Sequence, residues 1–230
     1  KAVYGDFRFI GGEALQMPVS KSFAQRAIIA AALADGTSHL KGYTPCGDNE
    51  AALQVARNLG AEVSVDGTSL TIKGIAAHLG SMGADEYTLH VGESGLLTRM
   101  MIPLMTQLCQ GPVHFTGEKT LLGRPLTGAK EILEAFDARI IREDDEAPVC
   151  VPLTAAGPLK AGRAEISGKH GSQLISGLLM ALPFADRNSS LIVHEPKSIP
   201  YMFITLEVLK KFGIRIGNDM LGGRDFLESD

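Results

Sequence analysis

Apolar residues recur with a helical period at three places in the chain, spaced roughly 75 residues apart. At each place the pattern i, i+3, i+4, i+7 predicts an amphipathic helix, which a tight exit and a short strand follow. Such self-similarity predicts a domain built from three copies of one supersecondary unit. The periodic positions are Ala52, Val55, Ala56 and Leu59 in the first repeat, Ala129, Ile132, Leu133 and Phe136 in the second, and Thr205, Val208, Leu209 and Phe212 in the third.

A second, more uniformly apolar helix precedes each amphipathic helix, and a short strand separates the two. Helices that are apolar on nearly every face are buried, so we expect three core helices. Pro103 and Pro183 lie inside two of them, where proline predicts either a kink or an early end. The core helices are predicted over 21–34, 95–109 and 172–185, and the strands over 38–41, 113–116 and 191–194.

This order of elements predicts an α/β (α+β) domain with three-fold pseudo-symmetry. Each repeat is expected to be βαβαββ-like and to contribute one buried helix. The first repeat should close with a hairpin through Asp66 and Gly67, and the second with a hairpin through the acidic turn 143–146. If the repeats pack around a common axis, the buried helices all begin at the same end of the domain.

The composition fits a compact globular domain. Of the 230 residues, 45% are apolar, and no apolar stretch is long and uncharged enough for a membrane span. The formal net charge of −4 argues against a general nucleic-acid-binding surface, so basic residues at helix starts should act locally on a small anion. The three cysteines, Cys46, Cys109 and Cys150, have neither an even count nor metal-ligand spacing, which favours a reducing compartment.

The candidate chemistry begins at the first core helix, where Ser20, Lys21 and Ser22 precede an apolar run. Free backbone N–H groups and the positive end of the helix dipole meet at such a start. Lys21 adds a point charge there, and Arg26 can form a fork onto a carboxylate or phosphate from the next turn. The pattern indicates an anion site, although serines after a proline are also typical of an ordinary helix cap.

The other two core helices also begin with polar residues, so three helix dipoles would point at one site if the repeats share an axis. Two loops at equivalent positions before the amphipathic helices extend this predicted anion site. The two further helix starts are 92–95 and 170–173, and the loops are 117–125 and 197–201.

In order and spacing, these elements resemble the signatures of the 5-enolpyruvylshikimate-3-phosphate synthase family. The resemblance covers essentially the whole chain, and it implies the inside-out α/β barrel domain of the enolpyruvyl transferases. The matching residues are Ser20, Lys21, Ser22 and Arg26; Gly92, Gly95 and Arg99; Thr116, Gly117, Glu118, Arg124 and Pro125; Ser172 and Gln173; and Ser198, Pro200 and Tyr201.

The resemblance implies a transferase of the shikimate pathway of aromatic amino-acid biosynthesis. Such an enzyme moves the enolpyruvyl group of phosphoenolpyruvate to the 5-hydroxyl of shikimate 3-phosphate and releases phosphate, with no metal and no other cofactor. The implied partners are these two small molecules, with no nucleic acid and no membrane, and the implied location is the cytoplasm. In the family the inhibitor glyphosate occupies the phosphoenolpyruvate pocket.

The resemblance also implies the site residues, position by position. Arg26 would make a bidentate contact with the shikimate carboxylate, which Ser22 would also bind. Lys21, the implied catalytic residue, would lie between the two substrates. Ser172 and Ser198 would bind the 3-phosphate, and Tyr201 would lie against the ring. The full set for shikimate 3-phosphate is Lys21, Ser22, Arg26, Ser172, Gln173, Ser198 and Tyr201, and the set for phosphoenolpyruvate is Lys21, Gly95, Arg124 and Gln173.

Several positions depart from the family pattern, among them Val19, where glycine is common, and two positions near the expected phosphate contacts. Glu93 stands where an amide is usual, and its carboxylate would repel a phosphate ligand unless it points away or pairs with a cation such as Lys119. Gly171 stands where a phosphate-binding serine is usual. A third residue, Arg99, matches the family, and we expect it to have a structural role in which it pairs with a carboxylate near its helix.

The family's enzymes have two domains of this design joined by a hinge, whereas this chain supplies one set of three repeats. The repeat domain is expected over 17–218, with repeats at about 17–75, 88–156 and 163–218. Residues 1–16 are expected to cross to the second domain and residues 219–230 to lead back to it. The chain is therefore interpreted as an amino-terminal portion, whose acid and base carboxylates belong to a missing carboxy-terminal domain.

Two other functions remain open. A UDP-N-acetylglucosamine enolpyruvyl transferase shares the repeat design, but it usually carries a cysteine at the position of Lys119 and an asparagine at that of Ser22. Both differences favour the shikimate enzyme. A non-catalytic module that binds a phosphorylated metabolite would present the same anion site at its helix starts, and only the coding sequence beyond Asp230 would separate it from half of an enzyme.

Overall fold

The computed structural model describes residues 20–82, 86–219 and 225–229. In these ranges the α-helices are α1 (Lys21–Leu33), α2 (Gly47–Asn58), α3 (Gly95–Leu108), α4 (Ala129–Glu134), α5 (Gln173–Ala181) and α6 (Ile199–Lys211). Most residues of α1, α3 and α5 are buried, which confirms the three core helices expected from the sequence. No helix in the described ranges is long and apolar enough to cross a membrane.

The strands form three sheets, one for each repeat. They are β1 (Thr37–Lys41), β2 (Glu62–Asp66) and β3 (Ser69–Lys73); β4 (Tyr87–His90), β5 (Val113–Thr116), β6 (Arg139–Ile141) and β7 (Leu153–Ala156); and β8 (Arg163–Ser167), β9 (Ser189–His194), β10 (Ile216–Asp219) and β11 (Asp225–Ser229). The strand orders are β1-β3-β2, β4-β5-β7-β6 and β8-β9-β11-β10. Strands β4 and β5 pair in parallel, as do β8 and β9, whereas all other pairs in these sheets are antiparallel.

The second and third repeats therefore have the predicted βαβαββ order, and the described part of the first repeat begins at α1. The hairpin between β2 and β3 is closed by a two-residue turn, with Asp66 opposite Ser69 and with Gly67 at a φ of 55°. Strands β6 and β7 are antiparallel, as predicted for the second repeat, with Ile141 opposite Thr154. The connection between them is longer than the acidic turn 143–146 alone.

The third sheet includes a strand that the sequence interpretation placed in a tail. Strand β11 lies between β9 and β10, with Asp225 opposite Val193 and Ser229 opposite Ile216. The third repeat thus extends beyond residue 218, because its last two strands repeat the pairing of β6 and β7. Residues 1–16, expected to cross to a second domain, lie outside the described residues, as do 220–224 and 230.

The core is formed where α5 packs closely against α3. A side chain at Gly177 would place its Cβ 2.5 Å from the carbonyl oxygen of Met100 and 2.5 Å from Cγ of Pro103, so only glycine allows this approach. Pro103 stays inside α3, which continues to Leu108. In contrast, α5 ends before Pro183, and the chain continues as a short 3-10 helix over Leu182–Phe184. The early end therefore occurs at Pro183, whereas α3 continues through Pro103.

We expect Gly177→Ala to lower the free energy of unfolding by about 1–3 kcal/mol, because the new methyl group forces α3 and α5 apart. Alanine has the higher helix propensity, so a loss of stability can come only from packing. Urea unfolding would measure it. The matched control is Gly47→Ala, also in a helix, where a Cβ meets no heavy atom within 4 Å. Equal stability of both variants and the wild type would contradict this packing.

Candidate active site

The starts of α1, α3, α5 and α6 meet at one end of the domain around an open cleft with a volume of about 400 Å³. The loop that carries Arg124 and the turn before α5 complete its walls. Most of the predicted site residues line this cleft, whereas Lys21 and Gly95 are adjacent to lining residues. The lining residues are Ser22, Arg26, Leu96, Arg99, Arg124, His170, Gly171, Ser172, Gln173, Ser198 and Tyr201.

Arg26 forms the floor of the cleft, and its side chain is fully buried. Its Nε donates to Oγ1 of Thr205 at 2.7 Å, one terminal nitrogen donates to the carbonyl of Ser22 at 2.8 Å, and the other donates to Oγ of Ser176 at 2.9 Å. All three acceptors are neutral. Burial lowers the pKa of Arg26 to about 10, so the guanidinium still carries its charge at neutral pH, with no carboxylate within ion-pair distance among the described residues.

The charged side chains that line the cleft are all positive. Its lining carries the three arginines Arg26, Arg99 and Arg124, and the described lining contains no acidic residue. A Cβ at Gly95 would lie 3.0 Å from a terminal nitrogen of Arg124 and 3.2 Å from one of Arg99, so these two guanidinium groups flank the same backbone. Burial and then the charge of Arg124 lower the pKa of Arg99. An anion bound between them would relieve this repulsion.

Arg99 differs from its sequence expectation, which was a structural pairing with a carboxylate. Its guanidinium instead donates to the carbonyl of Gly95 at 3.1 Å and to the carbonyl of Pro125 at 2.8 Å. These contacts join the start of α3 to the loop that follows Arg124. Because carbonyl partners leave its charge uncompensated, Arg99 contributes to the positive potential of the cleft as well as to its structure.

Several polar side chains of the cleft have hydrogen-bonding groups without a protein partner. Serine, glutamine and tyrosine side chains in such positions are available to a ligand, because no protein acceptor or donor competes for them. Within residues 20–82, 86–219 and 225–229, this holds for Ser22, Ser172, Gln173, Ser198 and Tyr201.

The backbone at the cleft also points to a ligand site. Ser198, at the start of α6, has a φ of 59°, which is uncommon for a residue other than glycine. Gly171 has a φ of 103°, and this conformation aligns the turn that leads into α5. The side chains of Ser20 and Ser172 do not cap the helices that they precede. The side chain of Ser20 is therefore not an ordinary helix cap for α1.

A profile of the family described as EPSP synthase (3-phosphoshikimate 1-carboxyvinyltransferase) matches residues 10–222 of the chain. The chain belongs to the EPSP synthase family. The solved structure of the EPSP synthase from Acinetobacter baumannii has a TM-score of 0.74 and 24% identity, and the match covers 93% of this chain and 46% of that one. This likeness confirms the α/β fold of the EPSP synthase family that the sequence predicted.

Sequence similarity to curated relatives agrees with membership of this family. The 3-phosphoshikimate 1-carboxyvinyltransferase of Methanococcus vannielii is 32% identical over 205 residues, which are 88% of this chain and 46% of the relative. The protein of the same name from Clostridium novyi is 34% identical over 217 residues, which are 91% of this chain and 48% of the relative. The chain thus spans about half the length of the curated relatives it matches.

Lys21 lies beside the cleft and is held by an ion pair that sequence reasoning missed. Its Nζ donates to a carboxylate oxygen of Asp48 at 2.8 Å, and this hydrogen bond raises the pKa of Lys21. Asp48 lies in the first turn of α2, where a carboxylate is favourable next to the positive end of the helix dipole. An acidic residue at a predicted helix start was the available signal, but nothing in the sequence linked it to Lys21.

Glu93, which departs from the pattern of the EPSP synthase family, does not line the cleft. Its carboxylate accepts a hydrogen bond from Oγ1 of Thr120 at 2.5 Å and lies 3.6 Å from Nζ of Lys119. The predicted pairing with Lys119 is therefore present. Thr120 and Lys119 belong to the loop 117–125, which carries Arg124. The contacts of Glu93 therefore connect this loop to the start of α3.

His170 and Leu96 are the other lining residues to which sequence reasoning gave no role. His170 lies within a predicted helix start, but a single histidine carries no signal without a partner. Across the described residues, no group of three or more His, Cys, Asp or Glu side chains is arranged to hold a metal ion.

The contact between Glu93 and Thr120 gives a pH-dependent prediction. The hydrogen bond from Thr120 and, less strongly, the charge of Lys119 lower the pKa of Glu93. A carboxyl group with a lowered folded pKa adds stability above its unfolded pKa, and this stability is lost as the pH falls through the folded value. We therefore expect wild type to be more stable than Glu93→Gln at neutral pH, with the difference lost as the pH falls through the lowered pKa of Glu93.

Urea unfolding of both proteins across the acidic range measures this difference. In a Thr120→Val background the same Glu93→Gln change should show a much weaker pH dependence, because the donating hydroxyl is gone. A stability difference that stays constant from neutral to acidic pH would contradict the role given to this contact.

Proposed function

We propose that the chain is the shikimate 3-phosphate-binding portion of a 3-phosphoshikimate 1-carboxyvinyltransferase. The complete enzyme transfers the enolpyruvyl group of phosphoenolpyruvate to the 5-hydroxyl of shikimate 3-phosphate and releases phosphate. The observation that carries the proposal is the cleft itself, where the buried charge of Arg26 has only neutral partners. Its family and the names of its relatives support the substrate identity.

The proposed shikimate 3-phosphate site uses two ends of the cleft. Arg26 and the hydroxyl of Ser22 receive the carboxylate, since a planar guanidinium matches a carboxylate in geometry and charge. Ser172 and Ser198, at the starts of α5 and α6, receive the 3-phosphate together with the free backbone N–H groups there. Tyr201 is 45% exposed and covers the ring between them.

The proposed phosphoenolpyruvate site lies between the starts of α3 and α5. Arg124 and Gln173 line this side of the cleft, and a Cβ built on Gly95 would lie 3.0 Å from the Arg124 guanidinium. Lys21 stabilises the charge that moves between the substrates, and its ion pair with Asp48 restricts the positions that its side chain adopts. These cations offset the repulsion between two multiply charged substrates held side by side.

The missing half of the site belongs to a second domain of the same polypeptide in this proposal. The general acid and base, and further cations for phosphoenolpyruvate, are supplied by that domain, and the complete enzyme acts in the cytoplasm and is a target of glyphosate. The isolated chain binds shikimate 3-phosphate weakly without turning it over. Its family membership favours this assignment over a UDP-N-acetylglucosamine enolpyruvyl transferase, and a non-catalytic phosphometabolite-binding module would share the ligand site but lack the second domain.

Calorimetric titration of the isolated chain tests the proposed ligand. We expect shikimate 3-phosphate to bind about tenfold more tightly than shikimate, because the two serines and the helix-start N–H groups act on the phosphate. Ser198→Ala should reduce this preference, whereas Arg26→Lys, which keeps the charge but loses the fork, should weaken both ligands about equally. Equal affinity for shikimate and shikimate 3-phosphate would contradict the phosphate pocket.

A further inference from the structure

The buried contacts of Arg26 point to two residues that none of the family signatures above includes. Ser176 lies one turn into α5 and Thr205 lies in the middle of α6, and both side chains are fully buried. Their hydroxyl oxygens are the acceptors for one edge of the Arg26 guanidinium. We call Ser176 and Thr205 the hydroxyl pair.

The geometry of the hydroxyl pair resembles that of a carboxylate. Its two oxygens are 2.8 Å apart, and they accept from Nε and from one terminal nitrogen of Arg26 at 2.7 and 2.9 Å. An Asp or Glu side chain would present two oxygens to the same edge in a fork. The hydroxyl pair satisfies these two donors in the same way, but it brings no negative charge.

The contacts of Arg26 with protein groups determine which of its N–H donors remain for a ligand. A guanidinium has five N–H donors, and three of them are used by Thr205, Ser176 and the carbonyl of Ser22. Two N–H groups remain, one on each terminal nitrogen. Because Arg26 lines the cleft, we assign these two donors to a ligand.

Thr205 also connects Arg26 to the wall of the cleft. Its hydroxyl lies 3.1 Å from the carbonyl oxygen of Tyr201, which belongs to the first turn of α6 and lines the cleft. Loss of this hydroxyl would therefore disturb both the orientation of the guanidinium and the first turn of α6. A positioning role thus predicts an effect on ligand affinity that exceeds the effect on the fold.

We propose that Ser176 and Thr205 are positioning residues that fix the Arg26 guanidinium while leaving its charge uncompensated for the carboxylate of the ligand. A buried acidic partner would form an internal ion pair and remove the attraction for an incoming anion. Non-polar side chains would leave buried donors unsatisfied, which is costly. Neutral hydroxyls avoid both outcomes. This inference rests on the proposed function, because it assigns the carboxylate of shikimate 3-phosphate to Arg26.

A matched pair of substitutions at Thr205 separates hydrogen bonding from packing. Thr205→Val keeps the shape and removes the hydroxyl, whereas Thr205→Ser keeps the hydroxyl and removes a methyl group. We expect the affinity for shikimate 3-phosphate to fall about tenfold in Thr205→Val and to change less than about twofold in Thr205→Ser. A purely structural role predicts no such dependence of ligand affinity on the hydroxyl.

A second pair of substitutions tests whether the side chain at position 176 must be neutral. Ser176→Asp places a carboxylate against Arg26, and Ser176→Asn places a neutral side chain of similar size there. We expect Ser176→Asp to lower the affinity for shikimate 3-phosphate by about a hundredfold or more, and Ser176→Asn to lower this affinity much less. Inorganic phosphate, which has no carboxylate, should lose less affinity than shikimate 3-phosphate does in Thr205→Val and in Ser176→Asp.

Calorimetric titration, with circular dichroism to confirm folding, decides between the outcomes. Binding of shikimate 3-phosphate to Thr205→Val or to folded Ser176→Asp with wild-type affinity would overturn the inference and leave the proposed function standing. Equal losses in Thr205→Val and Thr205→Ser would also overturn it, because packing would then explain the effect. Wild-type chain that binds neither shikimate 3-phosphate nor shikimate would overturn the proposed function together with the inference.

Discussion

The cleft depends on one constraint, which is that the guanidinium of Arg26 is buried as a cation among neutral oxygens. Three helices supply these oxygens, since Ser22 belongs to α1, Ser176 to α5 and Thr205 to α6. The helices must pack closely to bring the oxygens to one side chain, and glycine at position 177 allows α5 to approach α3 on the same core. Burial of the charge thus links the packing of the repeats to the chemistry at their common end.

The fold was largely predictable because its signals are local. Apolar residues at helical spacing depend only on neighbouring positions, so Val55, Leu133 and Val208 identified three equivalent helices without any long-range information. The helix starts of the cleft were also found, because serines and cations before an apolar run are a local pattern. The turn at Gly67 closed its hairpin for the same reason.

The partners of the site residues were not predictable, because each contact joins distant parts of the chain. Lys21 and Asp48 are 27 residues apart, and Arg26 and Thr205 are 179 residues apart. A single sequence gives no measure of such proximity. Arg99 shows the same limit, since charge alone suggested a carboxylate partner where the structure provides carbonyl groups. The extent of the third repeat was missed because the pairing of β11 with β9 joins residues that are distant in the sequence.

The open cleft is well suited to a site that a second domain completes. Its cations and the hydroxyls of its serines converge on one cleft, which favours binding of an anion. A domain that closed over it would exclude water and strengthen every interaction with Arg26, Arg99 and Arg124. The half-length match to the curated relatives agrees with this view of the chain.

The most direct measurement is residue-resolved NMR of the isotopically labelled chain during titration with shikimate 3-phosphate. We expect the largest shifts at the backbone amides of Ser22, Ser172 and Ser198 and at the Nε–H of Arg26. We expect no shifts at the separate groove lined by Glu50 and His90. Shifts confined to that groove, or none at saturating ligand, would contradict the claim that the buried charge of Arg26 organises an anion site.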